Sequence, residues 1–164
     1  MKLKTFILTV SRNFPTTHKR KGEPTYFEDK ILKRYSDFNN FLGWQKLHTI
    51  RSNYELWSKR IKQIQEGKAI LSIRYWSGKP YNSKQVEICR LDKDSGIGVQ
   101  ELTFDVPCGD FSIRNNYTEF WNNSYKMAEL AKNDGLSPDD FKEWFRKYDL
   151  SKTMAIIHFT SFRY

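Results

Sequence analysis

The chain has 164 residues, of which 16% are aromatic, and it carries a formal net charge of +9. This length suits one domain, residues 1–164, with a substantial hydrophobic core, and the aromatic content argues against disorder. No apolar run approaches the ~20 residues that cross a bilayer, and no cleavable signal peptide is evident. We therefore expect a cytoplasmic protein with no membrane partner.

The positive charge is concentrated in the first half of the chain. Residues 1–84 contain 18 Lys and Arg against 6 Asp and Glu, whereas residues 85–164 contain 10 against 13. This asymmetry favours a phosphate-bearing partner, although a solvated basic surface would give the same distribution.

Cysteine and histidine are too sparse to indicate a cofactor site. The two cysteines, Cys89 and Cys108, are far apart in the sequence, and so are His18, His48 and His158. Structural zinc sites need closely spaced ligands, so the sequence predicts no metal, no other cofactor and no disulfide framework.

The first predicted element is a strand over Lys2–Val10. After an irregular basic segment, Thr25 and Glu28 form a capping box, and apolar residues then recur at helical spacing. This pattern predicts a helix over residues 26–38.

The segment from Lys46 to Arg51 contains an amine, a hydroxyl and a guanidinium within six residues. If its backbone is extended, Thr49 and Arg51 share one face while His48 lies on the other, and a bend near Lys46 brings its ammonium towards Thr49. For this reason His48 is not placed in the candidate site. Such a grouping can bind an anion or perform chemistry, but it is also compatible with an ordinary strand-to-helix junction.

A second helix is predicted directly after this segment. Ser52 and Glu55 form another capping box, and Gly67 is well placed to terminate the helix. The apolar stripe of this helix comprises Tyr54, Trp57, Ile61 and Ile64.

Three strands follow, with a period of two. They are predicted over Ala69–Trp76, over Gln85–Leu91 and within Val99–Val106. Short loops join them, which favours an antiparallel meander.

The last predicted elements are two helices and a strand. One helix covers residues 120–132, and the other begins at Ser137 and Pro138, a capping residue followed by a favoured first helical residue. The apolar strand Met154–Phe162 is expected to pair with the first strand and close a barrel.

Three features together resemble the ASCH family: the residues Lys46, Thr49 and Arg51, the helix-Asp134-Gly135-helix turn, and the terminal apolar strand. These are small PUA-like barrels related to the domain of the activating signal cointegrator. The resemblance covers most of the chain and implies an α+β fold, with a small mixed or antiparallel PUA-like β-barrel and flanking helices. The family motif usually has a glycine two residues before the lysine, where this chain has Trp44.

ASCH members that hydrolyse N4-acylated cytidine place a lysine, a threonine and an acidic residue in one cleft. The resemblance therefore implies catalytic roles for Lys46, Thr49 and Asp134, with aspartate here in place of the glutamate of that pattern. Lys46 would take the proton of Thr49, whose oxygen attacks the amide carbonyl, and Asp134 would protonate the departing amine. Asp134 followed by Gly135 is also a common turn at the end of a helix.

The leading functional hypothesis is binding of RNA or a modified nucleoside in a basic cleft. Five residues supply cations and a stacking ring for this role: Arg12, Arg51, Arg74, Trp76 and Lys79. PUA-like barrels commonly hold such ligands, and bases stack on aromatic rings. The alternative is an amidohydrolase acting on N4-acylated cytidine, with hydrolysis of RNA itself as a further alternative. The sequence leaves open whether the protein is an enzyme.

Overall fold

The computed structural model describes residues 3–33, 45–105, 110–114 and 124–164. These residues form an α+β fold with four helices and seven strands, and the fold class agrees with the prediction. The strands are β1 Lys4–Thr9, β2 His48–Ser52, β3 Ala69–Trp76, β4 Gln85–Leu91, β5 Gly98–Asp105, β6 Asp110–Arg114 and β7 Met154–His158. The helices are α1 Phe27–Leu32, α2 Tyr54–Gln65, α3 Ser124–Asn133 and α4 Pro138–Phe145.

The strands form two sheets. One has the order β1-β3-β4, in which β1 and β3 are parallel and β3 and β4 are antiparallel. The other has the order β2-β7-β5-β6 and is antiparallel throughout. Within the described ranges these sheets do not join into a closed barrel.

The prediction that the last strand pairs with the first was wrong. β7 pairs with β2 and β5, whereas β1 pairs with β3. The reason is burial: all five residues of β7 are buried, as suits a central strand, whereas three of the six residues of β1 are exposed, as suits an edge strand. The meander was also wrong beyond β4, because β4 and β5 lie in different sheets.

Helix α2 packs against strands of both sheets, namely β3, β5 and β7. Its buried residues, Trp57, Ile61 and Ile64, confirm the predicted apolar stripe. The N-cap differs from the prediction: it is Asn53, with φ 65°, whose side chain accepts a hydrogen bond from the backbone N–H of Leu56.

Helix α1 is shorter than predicted. It begins at Phe27, after Tyr26 in a left-handed conformation, and ends at Leu32. Thr25 does not form a capping box, because Tyr26 is the N-cap and the backbone N–H of Thr25 donates to the carbonyl of Arg12 at 2.8 Å. The Thr25 hydroxyl donates to the carbonyl of Ser11 at 2.7 Å and accepts from the N–H of Phe27. The other predicted residues of this helix, 34–38, lie outside the described residues, as do Trp44, Cys108 and the predicted start of α3 at residues 120–123.

The basic segment before α1 is anchored to α4. His18 is buried, accepts the backbone N–H of Arg20 on Nδ1 and donates from Nε2 to the carbonyl of Asp140. The guanidinium of Arg20 lies 2.7 Å from the Asp140 carboxylate and 2.6 Å from that of Glu23. None of the helices in the described part of the chain is long and apolar enough to cross a membrane.

Candidate functional site

A buried ion pair joins Lys46 to Asp134 at the end of α3. The ammonium donates to Oδ1 of Asp134 at 2.8 Å and to the backbone carbonyl of the same residue at 2.5 Å. The two residues are only 2% and 4% exposed. The neighbouring N–H of Leu47 donates to the carbonyl of Asn133, which docks the chain against the end of this helix. One cation thus offsets both a carboxylate and the negative end of the helix dipole.

The turn that carries Asp134 depends on Gly135. This glycine has φ +82°, and a Cβ there would lie 3.3 Å from both Cβ of Lys46 and the ring of Phe27. Its carbonyl accepts a hydrogen bond from the ammonium of Lys30 at 2.7 Å. Burial and the nearby charge of Lys46 lower the pKa of Lys30 from 10.5 to about 8.

Thr49 lies beside this ion pair. One inner cavity of about 20 Å³ has room for about one water molecule. Its lining includes Lys46, Thr49, Arg51 and Asp134. The structure thus brings the three predicted catalytic residues together. No nucleoside fits inside this cavity. The guanidinium of Arg51, at its edge, donates to the backbone carbonyl of Thr9.

The two charges of the ion pair perturb each other. Burial lowers the pKa of Lys46, and the Asp134 carboxylate opposes this effect only in part. Burial would raise the pKa of Asp134, but the charge of Lys46 and the nearby His48 outweigh it, so the pKa of Asp134 lies below its ordinary value. The carboxylate is therefore ionised, and the lysine loses its proton more readily than a free lysine does.

Sequence reasoning did not place His48 in the site. Its Nδ1 lies 3.7 Å from Oδ1 of Asp134, and its Nε2 lies 2.7 Å from the hydroxyl of Tyr164. Asn133 donates to the same hydroxyl at 3.1 Å. Nδ1 faces the carboxylate but has no hydrogen-bond partner among the described residues.

His158 was also not predicted as part of this region. It is the register partner of His48 across β2 and β7, and the two ring centroids are 5.5 Å apart. Among the described residues, neither of its ring nitrogens has a hydrogen-bond partner. Burial and the charges of His48 and Arg163 lower the pKa of His158 from 6.5 to about 2. No signal in the local sequence marks this pair, because it arises from strand register.

A larger cleft of about 550 Å³ opens beside the inner cavity, and Arg51 borders both. Arg12, Trp76 and Tyr81 also line this cleft, which has the size of a typical ligand site. The rings of Trp76 and Tyr81 lie 5.3 Å apart, and Tyr81 is 86% exposed. No Asp or Glu is among the described residues that line the cleft.

Arg12 is held at the edge of the cleft. Its guanidinium lies 5.1 Å from the centre of the Tyr75 ring and donates to the carbonyl of Ser77 at 3.3 Å. These contacts fix the direction of its positive charge while leaving donors for a ligand.

Two predicted binding residues, Arg74 and Lys79, do not border the cleft. Arg74 donates to the hydroxyl of Ser72 at 2.8 Å and lies 3.7 Å from the carboxylate of Glu87. These partners on β3 and β4 compensate its charge outside the cleft. Lys79 lies in the turn between the same strands, where its carbonyl accepts from the hydroxyl of Ser83.

Comparison of the chain with protein-family models, curated proteins and solved structures found no match. Among the described residues, no group of three or more His, Cys, Asp and Glu side chains could hold a metal ion. Function is therefore inferred from the geometry and charge of the cavity and the cleft.

The effects of substituting Lys46 and Asp134 on the free energy of unfolding should be strongly coupled. Asp134→Asn leaves the Lys46 ammonium buried without a counter-charge, and Lys46→Met does the converse, so we expect each to lower the free energy of unfolding by about 3–5 kcal/mol. The double variant should cost clearly less than the sum of the single variants in urea unfolding. The exposed pair Lys68 and Glu66 is the control and should show no measurable coupling. Additive costs at Lys46 and Asp134 would contradict this account.

Stability should fall as the pH falls from about 7 to about 5. In this range the unfolded chain binds a proton on His158, whereas the folded chain does not, because burial lowers the pKa of His158 to about 2. Burial also lowers the pKa of His48, which acts in the same direction. Each histidine contributes up to about 1.4 kcal/mol per pH unit below its unfolded pKa. Urea unfolding of His158→Gln should give a shallower dependence on pH than the wild type. If the wild type and His158→Gln showed the same dependence of stability on pH, His158 would not gain a proton on unfolding, which would contradict this prediction.

Proposed function

We propose that this protein binds RNA or a modified nucleoside in the larger cleft. The observation that carries the proposal is the composition of that cleft: two arginines and a pair of aromatic rings line one opening, with no carboxylate among the described lining residues. A ligand with a negatively charged backbone and flat bases matches these two features.

The cations suit phosphate groups. Arg51 and Arg12 lie on the wall of the cleft, each oriented by a backbone carbonyl. Guanidinium groups present several donors in one plane and match the oxygens of a phosphate. The excess of Lys and Arg in residues 1–84 supports approach of a polyanion to this face.

The small volume of the inner cavity and its buried ion pair support binding, rather than hydrolysis, as the first proposal. Lys46 and Asp134 are nearly fully buried and satisfy each other, and about 20 Å³ beside Thr49 does not admit a nucleoside. The larger cleft is open without any rearrangement. RNA binding in the cytoplasm would therefore use two exposed groups, Arg12 and Tyr81, and two half-buried ones, Arg51 and Trp76.

The proposal includes membership of an ASCH-like group. Its support is the motif of Lys46, Thr49 and Arg51 and the Asp134-Gly135 turn, which lie beside the cleft. In this proposal the two sheets correspond to a PUA-like barrel.

An amidohydrolase acting on N4-acylated cytidine is the second candidate. It is favoured by the shared cavity of Lys46, Thr49 and Asp134, together with the lowered pKa of Lys46. Thr49 Oγ would form a bond to the amide carbon while Lys46 takes its proton. The C–N bond would then break as Lys46 passes this proton to the departing amine, since the ionised Asp134 has none to give, and water would release the acyl group from Thr49. The acyl group would have to enter past Arg51.

RNA binding should depend on salt and on Arg12. With a labelled single-stranded RNA of about ten nucleotides in fluorescence anisotropy, Arg12→Gln should weaken binding about fivefold. It should also reduce the slope of log Kd against log salt by about 0.7, because one phosphate contact is lost. Lys152→Gln is the control, since this side chain is 79% exposed and does not border the cleft. Binding that is independent of salt, or unchanged in Arg12→Gln, would contradict the proposal.

The second candidate has its own assay. Purified protein is incubated with N4-acetylcytidine, and released cytidine is measured by chromatography. If the candidate is correct, Thr49→Val abolishes release because it removes the nucleophile. The control Thr103→Val, in β5 and not among the residues that line the inner cavity, retains it. A folded wild type that releases no cytidine would remove this candidate, and turnover by Thr49→Val would exclude Thr49 as nucleophile.

A further inference from the structure

Tyr81 lies in the turn between β3 and β4, where its backbone conformation is unfavourable for its residue type. Its φ of 65° is left-handed, a conformation that bulky side chains rarely adopt. Its ring is 86% exposed and therefore gains little from burial. Strained, exposed residues of this kind often mark functional positions.

The turn does not need the Tyr81 side chain. The N–H of Ser77 donates to the carbonyl of Lys84 at 2.8 Å and closes the loop. Ser83 accepts the N–H of Gly78 and donates to the carbonyl of Lys79. The hydrogen bonds that close the turn therefore do not use the Tyr81 side chain, whose ring contacts that of Trp76.

Trp76 supports one side of the Tyr81 ring. The ring centroids are 5.3 Å apart and the planes meet at 49°. A base inserted between two rings needs roughly 7 Å, two stacking steps of about 3.4 Å each. The space between Trp76 and Tyr81 is too narrow for that, so a base can stack only on the outer face of Tyr81.

We propose that the outer face of Tyr81 is a stacking site for an unpaired RNA base, so the cleft selects single-stranded RNA. This inference rests on the proposed RNA-binding function. Arg12 and Arg51 on the same cleft receive the adjoining phosphates. In a duplex both faces of an internal base are already stacked, so a duplex cannot offer a base to this ring.

The test uses two variants at the same position. Tyr81→Phe keeps the ring, whereas Tyr81→Asn removes it and places a residue that tolerates the left-handed conformation, so the fold and Tm should be retained. The probe is a short single-stranded RNA with 2-aminopurine at one position, compared with the same RNA annealed to its complement. Anisotropy reports binding, and quenching of the 2-aminopurine fluorescence reports stacking.

The wild type should bind the single strand at least about tenfold more tightly than the duplex, with quenching. Tyr81→Phe should bind within about twofold of the wild type, and Tyr81→Asn about tenfold more weakly with the quenching lost. Equal binding of both RNA forms, or wild-type binding by Tyr81→Asn, would overturn the stacking site while leaving RNA binding intact. Binding of neither RNA by the wild type would instead overturn the proposed function and this inference with it.

Discussion

The ammonium of Lys46, held between the side chain and the backbone carbonyl of Asp134, determines how the elements around the site meet. Next to it, the N–H of Leu47 donates to the end of α3 and its carbonyl accepts from Phe159, just beyond β7. The start of β2 is therefore tied to a helix on one side and to its neighbouring strand on the other. A Cβ at Gly135 would lie 3.3 Å from the Cβ of Lys46, so a larger residue would strain the backbone at its φ of +82° and require its neighbours to shift.

This constraint places Thr49 beside the inner cavity and Arg51 at the boundary with the larger cleft. The two compartments differ in physical character. The inner one is nearly closed, and its charges are compensated within the protein. The outer one is open and carries cations and exposed rings. Burial lowers the pKa of Arg51, and the Asp134 carboxylate opposes this effect, so one member of the buried pair also supports the charge of the outer wall.

Local patterns in the sequence predicted the local structure well. The bounds of β3 and β4 were predicted correctly, as was the Ser137 cap of α4, because periodicity and capping act over a few residues. Asn53 replaced Ser52 as the cap of α2 because two adjacent residues can both cap, and the backbone conformation decides between them. The pairing of Lys46 with Asp134 could be anticipated, since a helix end favours a cation.

Local sequence patterns did not predict which strands pair over long distances in the chain. The neighbours of β7 depend on which buried strands associate, and the contact of His48 with His158 depends on the register between β2 and β7. The absence of Arg74 from the lining of the cleft goes together with its pairing to Glu87 on β4, which the sequence of β3 alone does not reveal. The exposed, left-handed Tyr81 likewise belongs to a turn conformation that its residue type does not favour.

The most direct test of RNA binding in the outer cleft is an NMR titration with a short single-stranded RNA, observing the indole N–H signals of the tryptophans. Trp76 lines the cleft. Trp57, a residue of α2, is buried in the core and serves as an internal reference. The account predicts a saturable shift of the Trp76 signal and no change at Trp57. A titration in which RNA binds without perturbing Trp76, or in which no signal moves, would contradict it.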